Sequence, residues 1–235
     1  MRARNLTVLL LVGLAAGCGT QAHLATGDRH FAKGEYVAAI YEYGKVLEKE
    51  DHPDAALRRA CALKMMGHDE AAEGDLVRAA RAGSTEAKAL LGASQGAADI
   101  SALQKVVEQY PDSAWVWALF GDCLLQDNQP DAAAKTYEEA LKRGPKGRLA
   151  AAVLYNLTLA HIRAGDCQAA TRSFVQYRTV ADQPMSDADR YLAGLLAYAR
   201  GDYAAAAAEW RTLPAGMRER IRQTLPGEET LASVE

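Results

Sequence analysis

AWVWALFGDCLLQDNQPDAAAKTYEEALKRGPKG, residues 114–147, is the stretch on which the fold turns. It reads as two helices that cross closely. Gly121 and Ala133 are small where the helices meet, and Trp117 and Tyr137 fill the space around the crossing. Pro145 ends the second helix, because a proline has no amide hydrogen and its ring clashes with the preceding turn.

The same placement returns along the chain. Gly34-Glu35-Tyr36 followed by Ala39, Tyr43 and Val46 repeats the turn and second helix, with Gly27 as the small crossing residue. Gly67-His68-Asp69 with Ala72, Leu76 and Ala79 does so again. Residues 80–113 form a degenerate copy that keeps Leu103, Val106 and Pro111 but has an irregular turn around Ser94-Gln95-Gly96. Gly165-Asp166-Cys167 with Ala170, Phe174 and Tyr177, and Gly201-Asp202-Tyr203 with Ala206, Trp210 and Leu213, complete the series. The period stays near 34 residues, the signature of a repeat architecture. Residues 215–224, AGMRERIRQT, read as a polar capping helix, and Pro226-Gly227 stops it ahead of a loose tail over 225–235. Abundant alanine, as in Ala204 to Ala208, suits closely packed helices, and the modest share of β-branched and aromatic residues argues against a large sheet.

Trp117, Phe120, Gly121 and Leu124, then Ala133, Tyr137 and Pro145, resemble the tetratricopeptide-repeat consensus, with hydrophobic exchanges at two positions and Tyr for Phe at a third. The resemblance implies an all-α fold: a right-handed superhelical solenoid of about six tetratricopeptide-type helix pairs, in one domain over residues 23–224, with the first helix of each pair lining a concave face.

The first twenty residues carry a separate message. Arg2 and Arg4 form a positive start, Leu6 to Leu14 is apolar, and Ala15-Ala16-Gly17 leads into Cys18. This is the layout of a secretory signal, and the apolar run is shorter than the roughly 20 residues a membrane span needs. Leu14 to Cys18 resembles the lipobox of bacterial lipoproteins, with Ala15 where leucine is commonest. The resemblance implies removal of residues 1–17, lipidation of Cys18 and a short linker over 18–22. Gly19, rather than Asp, after the cysteine resembles the signal for release to the outer membrane. Net charge is −3 for the whole chain and −5 once Arg2 and Arg4 are gone (−3 minus 2), so the basic footprint of a nucleic-acid binder is missing.

No catalytic motif, phosphate loop or dinucleotide fingerprint is present, and no cofactor or small-molecule substrate is expected. His23, His30, His52, His68 and His161 include no pair spaced i, i+4, so no helix-borne metal site is indicated. Beyond Cys18, the cysteines are Cys61, Cys123 and Cys167. Either one pair bridges or all three are buried thiols, the usual fate of a free cysteine, and the absence of any CxxC spacing favours the second.

What remains is a surface. Aligning the copies by their crossing residues predicts that Leu24, Asp28, Phe31, Leu57, Cys61, Lys64, Lys88, Leu91, Trp115, Asp122 and Leu125 face the groove. Tyr155, Leu159, Ile162, Tyr191, Leu195 and Tyr198 complete it. The apolar side chains are densest from Leu125 to Tyr198, a surface suited to an amphipathic helix with anchors at i, i+3, i+4 and i+7. An outer-membrane-type lipoprotein of this architecture is similar to the pilotin and assembly lipoproteins of type IV and Tad (Flp) pili. That resemblance implies a chaperone at the periplasmic face that binds a helical segment of a secretin subunit or pilus component. A general scaffold for outer-membrane protein assembly or cell-wall enzymes is the other reading.

Overall fold

The computed structural model describes residues 19–97 and 99–225. Cys18, the signal before it and the tail beyond Leu225 lie outside the described residues. Within them every regular element is a helix. The helices are α1 (residues 19–32), α2 (Tyr36–Leu47), α3 (Pro53–Met66), α4 (Asp69–Arg81), α5 (Thr85–Ser94), α6 (Ile100–Gln109) and α7 (Ala114–Gln126). They continue as α8 (Pro130–Lys142), α9 (Gly147–Ala164), α10 (Cys167–Ala181), α11 (Asp187–Ala199), α12 (Tyr203–Arg211) and α13 (Ala215–Thr224). The helices follow one another in the order of the six predicted pairs and the closing helix. Helix already runs at residue 19, where a short linker is expected. The chain divides into two compact units, one up to Cys123 and one from Leu124; the boundary falls inside α7.

Turn chemistry sets the hairpins. Gly67 adopts φ +77°, and there its amide donates to the Lys64 carbonyl while the His68 amide donates to Leu63. This left-handed step closes α3 and uses carbonyls that would otherwise be orphaned. Gly165 repeats it between α9 and α10. Two helices open on side-chain caps, α10 and α12: the carboxylates of Asp166 and Asp202 accept from the amides three residues on, at 2.9 and 3.0 Å.

In the first unit the crossing of α1 and α2 has no room for a side chain at Gly27. A Cβ there would sit 2.4 Å from the ring of Tyr43, which is 1% exposed. Leu57, Ala60, Leu76, Leu90, Leu103 and Val106 continue the core. Arg59 of α3 donates twice to Asp75 of α4, both bonds 2.7 Å, so the buried carboxylate is matched by a planar two-pronged donor.

In the second unit the crossing of α11 and α12 repeats the first pair. A Cβ on Gly194 would lie 2.1 Å from the indole nitrogen of Trp210. That nitrogen donates to the Tyr191 carbonyl at 3.2 Å, so the buried ring leaves no orphaned donor. Between α9 and α10 the pattern departs. Thr158 occupies the crossing, fully buried, and its hydroxyl meets that of Ser173 at 3.1 Å while also donating to the Leu154 carbonyl. With a larger residue in the gap, Phe174 is only half-buried and Ser173 takes the buried place.

Candidate functional site

Tyr155, Leu159 and Ile162 stand at i, i+4 and i+7 on α9, the spacing that places side chains on one helical face. All three are half-buried. The Tyr155 ring meets Tyr177 edge-on, with centroids 5.6 Å apart, and its hydroxyl donates to the Ala188 carbonyl at 3.5 Å. Burial holds this phenol above its ordinary pKa, so it stays a neutral donor. Leu125 is 6% exposed and belongs to the core rather than to an open face, while its carbonyl accepts from Arg163 at 3.1 Å.

Tyr191, Leu195 and Tyr198 repeat the same spacing on α11, but their surroundings differ. They pack around a buried cluster of Ala206, Ala207, Trp210, Leu213 and Ile221, together with Met217 and Leu225. Tyr198 lies 5.3 Å from the Tyr203 ring and 6.0 Å from that of Trp210. Ile221 and Met217 come from α13, whose sequence reads as a polar cap. The apolar face of that short helix is what the reading passed over, and the Met217, Ile221, Leu225 spacing is the signal for it.

A buried polar network anchors the start of α11. Asp189 accepts from the Tyr177 hydroxyl, from Arg178 at 3.0 Å and from the Ser186 amide at 2.7 Å, and the Ser186 hydroxyl accepts from the Asp189 amide. Burial pushes the Asp189 carboxyl up, but these donors outweigh it and hold it below the usual carboxylate range. The Tyr177 hydroxyl is pushed up to about 12 by burial and by Asp189. Ser186 and Asp189 form a capping box at the start of α11, a local spacing the sequence reading passed over; the inclusion of Tyr177 and Arg178 has no local signal.

The first unit holds a different pocket, lined by Asp28, Phe31, Arg58, Cys61, Tyr110 and Ser113 among others. Asp28, Phe31 and Cys61 were expected on this face; Arg58, Tyr110 and Ser113 were not. Asp28 accepts from the Tyr43 hydroxyl at 2.8 Å and pairs with Arg58. Tyr110 and Ser113 arrive on the connection from α6 to α7. The dipeptide Pro111-Asp112 marks a turn, but nothing local says where that turn folds. Cys61 is 1% exposed, and burial pushes its thiol up to about 12 against the opposing Ser113 hydroxyl, so it is a neutral core thiol rather than a nucleophile. Leu24, Leu57 and Trp115, also aligned to the groove, are core residues. Lys64 stays at the rim, its ammonium 5.5 Å over the Trp115 ring.

Cys61, Cys123 and Cys167 are all free, which decides against a bridge among them. Cys61 and Cys123 are buried as expected, whereas Cys167, at the start of α10, is half-exposed. His23 contacts Glu42 at 2.7 Å, His30 contacts Glu35 at 2.5 Å, and His52 caps α3 by accepting from the Ala55 amide. Among the described residues no three His, Cys, Asp or Glu side chains converge as a metal site, and no helix is long and apolar enough to cross a membrane.

Comparison with known proteins agrees with this architecture. A tetratricopeptide-repeat family model matches residues 90–157. No curated protein matches the sequence. Among solved structures, the chain is similar to the anaphase-promoting complex hetero-tetramer Cut9–Hcn1, with 16% identity and a TM-score of 0.51, covering 92% of this chain and 42% of that one. It also aligns with PilW, a widely conserved type IV pilus biogenesis factor, at 16% identity and a TM-score of 0.47, covering 92% of this chain and 97% of that one. PilF of Pseudomonas aeruginosa aligns at 16% identity and a TM-score of 0.46, covering 93% and 97%. Residues 90–157 thus match the tetratricopeptide-repeat model, and the helices on either side make the described residues an all-α helical-repeat fold.

Proposed function

We propose that this chain is a lipid-anchored, protein-binding assembly factor: a pilotin-like chaperone held through Cys18 at the periplasmic face of the outer membrane. It takes an amphipathic helical segment of a secretin subunit or another pilus-assembly component. The observation that carries the reading is the half-buried apolar row of Tyr155, Leu159 and Ile162 on α9, in a chain whose lipobox-like Leu14 to Cys18 directly precedes α1 in sequence. Such a row shields the apolar side of a partner helix by mass action and needs no cofactor. Lipid on Cys18 confines the encounter to the membrane surface, and two or more acyl chains make that attachment stable.

The test is capture. Tagged full-length protein is crosslinked in membranes, and the proteins captured by wild type are compared with those captured by Leu159→Asp/Ile162→Asp. Helicity of the variant is verified first. Loss of at least tenfold of a captured secretin subunit is expected, the scale of removing central apolar anchors. Capture of barrel-assembly or cell-wall enzymes, unchanged by the substitutions, would sink the reading and leave a general periplasmic scaffold.

A further inference from the structure

The α11 row differs from the α9 row because it already packs against a buried cluster built by α12 and completed by α13. α13 places Ile221 in the cluster with Trp210 and Leu213, and Met217 and Leu225 pack around that cluster beside Tyr191, Leu195 and Tyr198. Its hold on the fold is slight. Of its ten residues only Ile221 is buried. A side-chain hydrogen bond back to the preceding hairpin runs from Arg218 to the Arg211 carbonyl at 3.5 Å, at the limit of a bond. A cleft lined by Tyr191, Met217, Arg220, Ile221 and Thr224 runs alongside. A ten-residue helix is barely stable by itself, so its order depends on this contact, and elements with few buried contacts open separately from the core.

We propose that α13 is a displaceable internal occupant of the α11 face. That face takes from a partner protein an amphipathic helix of the same design, with apolar residues at i, i+4 and i+8 corresponding to Met217, Ile221 and Leu225. The inference rests on the protein-binding reading for the existence of a partner, but the face itself is testable without one. α13 shows what fits: one branched side chain seated against the Trp210 cluster, apolar neighbours one turn away on each side, and Arg220 along the cleft. In the closed state α13 closes the Trp210 cluster beside Tyr191; in the open state a partner helix replaces it, so binding at this face is held back until competition releases α13.

The probe is a labelled peptide of residues 214–225, titrated against the full chain and against Ile221→Asp, which detaches α13 from the cluster. The peptide should bind Ile221→Asp at least tenfold more tightly than wild type, and adding Leu195→Asp should abolish the gain. Hydrogen exchange on the unmodified chain should show α13 amides exchanging at least tenfold faster than those of α11 and α12. Equal protection of all three helices, or loss of the α11–α12 hairpin in Ile221→Asp, would overturn the proposal by making α13 an integral part of the fold. Equal peptide binding to wild type and variant would also overturn it, and so would a concentration-dependent dimer that exchanges α13 between copies. None of these outcomes depends on capture of a secretin, so failure here and failure of the α9 reading can be told apart.

Discussion

At the residue scale, two glycines are where the packing has least tolerance. Gly27→Ala drives a methyl group into the Tyr43 ring and Gly194→Ala drives one into the Trp210 indole. Each should cost about 1–3 kcal/mol of stability, the usual range for overpacking a core; chemical denaturation measures it. Gly194→Ala combined with Trp210→Leu should recover part of the loss, because the methyl then has room. Asp189 makes a second prediction. Its folded pKa is depressed, so its contribution is present above the ordinary carboxylate value and is lost as pH falls through the folded one. Asp189→Asn should destabilise the protein by about 2–4 kcal/mol near neutral pH by leaving Arg178 without its buried partner. It should also flatten the loss of stability that wild type shows below about pH 4. Tyr177 acts at the other end: with its pKa raised to about 12, its contribution holds below the ordinary tyrosine value and fades as pH rises through 12. Thiol accessibility is simpler. Cys167 should react with an alkylating agent in the native state, while Cys61 and Cys123 react only on unfolding, as mass spectrometry of the labelled protein would show.

At the element scale, the hairpins depend on their turns more than on helix propensity. Asp166 caps α10 through the Ala169 amide, and Asp166→Ala should cost about 1 kcal/mol. Gly165 at φ +78° should lose a similar amount, about 1 kcal/mol, when replaced by alanine, because the left-handed conformation crowds a Cβ. Thermal unfolding of the two single variants checks both. These turns were legible because their chemistry is local: a glycine in the left-handed region followed by a capping carboxylate reads the same in the sequence as in the fold. The α9–α10 crossing was less legible. Gly165, Ala170 and Phe174 mark the repeat, but only the packed hairpin shows that Thr158 and Ser173 exchange a buried hydrogen bond and displace Phe174 outward.

At the scale of the whole molecule, the prediction concerns attachment. Cys18→Ser should move the protein from the detergent-rich phase to the aqueous phase in a temperature-driven detergent partition, and metabolic labelling with palmitate should be lost in parallel. Read alone, the sequence determined the number and order of the helix pairs, the closing helix and the turn positions. It did so because helical periodicity, small residues at crossings and turn chemistry each act within about 34 residues of chain. Tertiary structure alone decided which of the aligned apolar side chains remain available. Tyr155, Leu159 and Ile162 stay half-open, Leu125, Leu57 and Leu24 go to the core, and Tyr191, Leu195 and Tyr198 pack around the cluster that α13 completes. The reason is geometric: a residue's face on its own helix follows from spacing, but whether that face meets solvent depends on which neighbouring helix lies across it, and that neighbour is chosen by packing between residues distant in sequence.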